Sequence, residues 1–80
     1  MMTAALLAMT LVRAHHVRSF HIHPAPLDGW EASEREDHRV VQQQRYTDWH
    51  RVERTLTRFR REIAALLEEG WHRDVGIQHE

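Results

Sequence analysis

The chain predicts an α+β fold: a three-stranded antiparallel β-meander packed against one long C-terminal amphipathic helix. Three observations carry that expectation. Trp49, Val52, Leu56, Phe59, Ile63 and Leu66 recur at spacings of 3, 4, 3, 4 and 3, which keeps large apolar side chains on one helical stripe. Upstream, three short segments with strand character are separated by turn chemistry. The connections between them are short, which favours antiparallel neighbours.

The helix is read over Thr47–Trp71. Thr47 is the expected N-cap, its hydroxyl accepting from a backbone N–H of the first turn. Asp48 then sets a negative charge at the positive end of the helix dipole. His50 stands where a capping box needs Glu or Gln, so that motif is incomplete. Gly70 supplies a left-handed residue past the C-terminus, and Trp71 folds back on the last turn.

The first strand is read over Val17–His23, with Phe20 and Ile22 on one face and Ser19, His21 and His23 on the other. Pro24 and Pro26 end it. Asp28-Gly29 marks a turn. Trp30–Arg35 follows, with Trp30 and Ala32 opposite Glu31, Ser33 and Arg35. After a polar turn at Glu36-Asp37-His38 comes a third strand, Arg39–Tyr46. The expected core is Phe20, Ile22, Trp30, Trp49, Val52, Leu56, Phe59, Ile63 and Leu66. One small βββα domain then occupies residues 15–71, and residues 72–80 form a loose polar tail.

Residues 1–14 hold the apolar run Ala4–Val12. It is far too short to cross a membrane as a helix. It reads as a short helix docked on the sheet or as an extension from a misassigned start codon. A signal peptide is the minority reading, because no Lys or Arg precedes the run.

Eighty residues allow one small domain whose burial is modest, and dimerisation would supplement it. No cysteine is present, which excludes disulfides and thiolate metal sites. All eleven basic residues are arginine, and the formal net charge is −1. A near-neutral domain lacks the footprint of a general nucleic-acid binder. Eight histidines make the charge pH-sensitive: protonating all eight carries −1 to +7.

The outline of three strands followed by a helix is similar to the arm-binding domains of phage integrases, which lay a three-stranded sheet into DNA. With an N-terminal helix it also resembles double-stranded-RNA-binding domains. That second resemblance implies a basic cluster at the helix start, where this chain reads Asp48-Trp49-His50-Arg51, and Glu31 on the sheet face would repel phosphate. The chain is assigned to neither family.

Two clusters carry candidate chemistry. Arg51, Arg54, Arg58 and Arg61 form a ridge on the polar side of the helix, suited to phosphates or an acidic partner. The helix also carries Asp48, Glu53, Glu62, Glu68 and Glu69, so the ridge equally reads as a solvated face. His21 and His23 share a strand face and would bind a divalent metal if a third ligand such as Glu31 arrived. Tyr46, Trp49 and His50 form an aromatic group at the helix start, read mainly as core. Ser19 and Ser33 lack the setting of a nucleophile, and the three glycines form no phosphate loop. The expected function is therefore a small cytoplasmic, non-catalytic interaction module without a cofactor. It binds another protein or itself, and the alternative is nucleic-acid binding through the arginine ridge.

Overall fold

Four consecutive segments pair as antiparallel strands before the helix begins, one more than the sequence predicts. The computed structural model describes residues 5–74. Its elements are β1 (Leu7–Arg13), β2 (His16–Pro24), β3 (Trp30–Glu36), β4 (Arg39–Tyr46), α1 (Trp49–Glu68) and β5 (His72–Arg73). The strands form one sheet in the order β4-β3-β2-β1-β5, and α1 covers one face of it.

The additional strand is β1, where a helix or an unstructured extension was expected. Leu7, Met9 and Leu11 lie opposite Ile22, Phe20 and Arg18 and share the helix-covered face with them. Leu11 is completely buried. The outward positions Ala8, Thr10 and Val12 are small or apolar, so the run shows no alternation in sequence. A short continuous apolar run does not distinguish strand from helix. Without an N-terminal helix, the outline also departs from that of a double-stranded-RNA-binding domain. Residues 1–4 of the expected N-terminal segment lie outside the described residues, as do residues 75–80 of the expected tail. Within that tail, His72 and Arg73 pair with Val12 and Leu11 as β5.

Two tight hairpins fix the register. Arg13 pairs with His16, leaving Ala14 and His15 as the turn. Glu36 pairs with Arg39, leaving Asp37 and His38. The first turn residue in each case has positive φ, 54° at Ala14 and 58° at Asp37, as two-residue hairpin turns require. Gly29 has φ of 86°, and a Cβ there would lie 2.3 Å from the Tyr46 carbonyl oxygen. Glycine alone fits both constraints at that position.

The core joins Leu11, Phe20, Ile22 and Ala32 of the sheet to Val52, Phe59, Ile63 and Leu66 of the helix. Phe20 and Phe59 meet edge-to-face, 5.2 Å between centroids. Trp30 and Leu56 are half-buried against this cluster. Trp49 is 44 % exposed, a departure from its expected core place. As the first helical residue it has no earlier turn beside it, and the ring it meets is Trp30, at 5.4 Å.

Among the described residues two polar side chains are buried, and neither was expected in the core: Thr55 on α1 and Glu34 on β3. Glu34 lies opposite Phe20 on the helix-covered face. It is paired with Arg18, whose Nη2 is 2.5 Å from one Glu34 carboxylate oxygen and 3.6 Å from Glu62 of the helix. The guanidinium also lies over the Phe20 ring. A buried carboxylate persists only when paired in this way.

Asp48, rather than Thr47, caps the helix: its carboxylate accepts from the His50 N–H at 3.0 Å. Tyr46 still pairs with Trp30 in the sheet, which leaves Thr47 in the connecting bend. At the other end Gly70 has φ of 102°. The Gly70 N–H donates to the Leu67 carbonyl and the Trp71 N–H to the Leu66 carbonyl. These are the two bonds of a Schellman motif, and they turn the chain back toward β5.

Candidate functional site

The two edges of the sheet differ: β1 is partly covered by the short β5, and β4 is uncovered. β1 would be an edge strand, but β5 pairs with it and the Asp74 N–H donates to the Thr10 carbonyl. β4 has a strand on one side only. Its eight residues present a row of backbone donors and acceptors to solvent. Val40 and Val41 are about half exposed along it, 50 % and 52 %. The pairing with β3 shifts between Glu34 and Arg35, so Val41 is the bulged residue. A bulge bends the strand and increases its twist there, which leaves Gln42–Tyr46 as the regular stretch of the edge.

The arginine ridge lies beside this edge. Arg51, Thr55 and Arg58 sit one helical turn apart and, with Tyr46 and Arg54, line a shallow groove of about 320 Å3. Arg58 donates from Nη2 to the Gln42 side chain at 3.1 Å, bridging helix and edge strand. The groove continues past Arg51 to Arg45, Tyr46, Thr47 and Asp48. Arg61 lies farther along the solvent side of the helix with His50, Glu53 and Arg54. Among the described residues no carboxylate lies within 4.0 Å of the guanidinium of Arg51, Arg54, Arg58 or Arg61. Asp48 and Glu53 lie on the same side of the helix but are engaged otherwise. Asp48 caps the helix, Glu62 faces Arg18, and Glu53 lies 3.9 Å from His50.

Arg51, Arg54 and Arg58 thus line the groove next to the open edge, and Arg61 lies farther along the helix. The sequence did not place β4 beside them; Tyr46 was read with Trp49 and His50 as an aromatic group, mainly core, and Thr55 and Gln42 were given no role. Helical periodicity ties Thr55 to Arg51 and Arg58, and that spacing was the one available signal.

His21 and His23 lie on the uncovered sheet face, as expected. His21 is opposite Ser33 and His23 is opposite Glu31. The His23 Nε2 is 3.7 Å from a Glu31 oxygen, and Glu31 also accepts from Gln43. Among the described residues no three His, Asp or Glu side chains converge to hold a metal ion, so the two imidazoles have no third ligand. Partial burial, then the neighbouring His23 and Arg35, push His21 below its ordinary value of 6.5.

At the end of this face, Asp37 accepts from the Val17 N–H at 3.0 Å and from His16 Nδ1 at 3.2 Å. The Val17 bond, then the His16 bond, hold its carboxyl below the usual carboxylate range. The β3–β4 turn is thereby clasped to the start of β2.

The chain matches no family model, no curated protein and no solved structure. No helix among the described residues is long and apolar enough to cross a membrane.

Proposed function

We propose that the protein is a small non-catalytic interaction module that receives an extended, acidic segment of a partner protein along β4. One observation carries this reading: β4, with a strand on one side only, lies beside the arginine ridge, of which Arg51, Arg54 and Arg58 line the groove, and among the described residues none of the four ridge guanidiniums has a carboxylate partner. An added strand takes its affinity from main-chain hydrogen bonds and its specificity from alternate side chains. Here Val40 and Val41 offer apolar contact at one end, and Arg51, Arg54 and Arg58 favour carboxylates along the groove. The same charges disfavour a second copy in that place. Antiparallel pairing of two β4 strands about a two-fold axis would bring the arginine sides of the two helices toward each other, and like charges oppose it.

The test is selection of extended peptides on the immobilised protein. Expected binders are rich in Asp and Glu and lose affinity when alternate backbone amides are N-methylated. The double reversal Arg54→Glu/Arg58→Glu weakens them tenfold or more. Binders with no acidic bias, or insensitive to N-methylation, defeat the reading. A sedimentation mass of twice 9.6 kDa that persists in the double reversal assigns the edge to self-association instead.

The same four guanidiniums support a second reading, nucleic-acid binding through the ridge. It predicts affinity that falls steeply with salt. It also predicts a pull-down in which recovered material disappears on nuclease treatment. A nuclease-resistant protein partner favours the first reading.

A further inference from the structure

The uncovered face of the sheet carries a second cluster, remote in role from the β4 edge. Thr10, Ser19 and Arg35 lie side by side across β1, β2 and β3. Ser33, two residues from Arg35 on the same face, sits opposite His21. These residues, with His38 of the adjoining turn, line a trough of about 440 Å3. Small-molecule sites fall in the range of about 300–1,000 Å3.

The trough is rich in donors and poor in available acceptors. Among the described residues, the Arg35 guanidinium has no carboxylate within 4.0 Å and no hydrogen bond, and the hydroxyls of Thr10, Ser19 and Ser33 have no partner. The single carboxylate lining it belongs to Asp37, which is engaged by Val17 and His16. Glu31 stands four residues along β3 from Arg35, bonded to Gln43 and beside His23, which lines the opposite end of the trough.

We propose that this trough binds a phosphate-type oxyanion, supplied as a small phosphate monoester or as inorganic phosphate, with Arg35 as its charged anchor, Thr10 and Ser19 as hydroxyl donors and Ser33 lining its wall. Neighbouring strands lie about 4.8 Å apart, so the Thr10 and Ser19 hydroxyls and the longer Arg35 side chain, which share one row across the sheet, can reach different oxygens of one tetrahedral group. A guanidinium fork adds a bidentate contact to two oxygens.

The test is an NMR titration of the intact protein with inorganic phosphate, glycerol phosphate and, at matched ionic strength, chloride. Saturable shifts centred on Thr10, Ser19, Ser33, Arg35 and the His21 ring are expected for phosphate or its monoester and absent for chloride. Arg35→Ala weakens the interaction tenfold or more. Arg35→Lys, which keeps the charge and loses the fork, weakens it by a smaller factor and serves if the alanine variant does not fold. Tighter binding of glycerol phosphate points to a phosphorylated small molecule, and equal binding points to free phosphate. Shifts that chloride reproduces, shifts centred on Arg51–Arg61, or affinity unchanged in both Arg35 variants would overturn the proposal.

Discussion

Arg18 is the side chain on which the interior depends most. It spans from the Phe20 ring to Glu34 and Glu62, and its Nε is buried without a partner among the described residues. Removing one partner leaves a charge uncompensated, so Glu34→Ala should cost about 3–5 kcal/mol. Replacing both, Arg18→Met with Glu34→Leu, should recover most of that loss or exceed the parent in stability. Chemical denaturation of the two singles and the double closes the cycle, and additive losses would refute the coupling. Phe59 is the apolar counterpart, 1 % exposed against Phe20. Phe59→Ala should cost about 3–5 kcal/mol, and a loss under about 1 kcal/mol would mean the helix does not pack as described. His21 gives the pH dependence. Its folded value is lowered, so the unfolded chain takes up the proton first as pH falls. Its contribution is therefore complete above about pH 6.5 and is lost as pH drops through the folded value. Urea midpoints measured from about pH 7 to about pH 5 should fall less steeply in His21→Gln than in the parent. Equal slopes would assign the dependence to other histidines.

At the scale of elements, the connections are as informative as the strands. Gly29→Ala introduces a strained φ and a contact with the Tyr46 carbonyl, and should cost at least about 2 kcal/mol. A thermal midpoint equal to that of the parent would show that the Trp30–Tyr46 end of the sheet rearranges freely. The elements legible in the sequence were those with a clear period. β2 and β3 alternate, and α1 carries its stripe between Asp48 and Gly70. β4 was placed at Arg39–Tyr46, where it is found. β1 was hidden because Ala8, Thr10 and Val12 fail to contrast with the inward residues beside them. Glu34 was hidden for the opposite reason: a charged residue at an inward position looks outward until its partner Arg18, sixteen residues away, is known. The two-residue β5 is too short to leave a pattern. The arginine ridge was legible as a helical spacing, but its meaning depends on β4 lying next to it, which needs the sheet order.

At the scale of the whole molecule, charge and edge geometry coincide. One edge is partly covered by β5, and the other is open and flanked by arginines. Arg54 and Arg58 are exposed and outside the core, so their double reversal should leave the thermal midpoint within a few degrees of the parent while weakening partner capture. A large drop in midpoint would make the ridge structural and remove it as a docking surface. The partly covered edge has a consequence for the order of events during synthesis. Leu11 pairs with Arg73, so β1 cannot be covered until nearly the whole described chain has emerged from the ribosome. At about 5–20 residues per second, that leaves the Leu7–Arg13 segment with one bare flank for about 3–12 s. The nascent protein thus passes through an interval in which both flanks of its sheet are sticky, and cover for Thr10–Val12 comes only with residues 72–74.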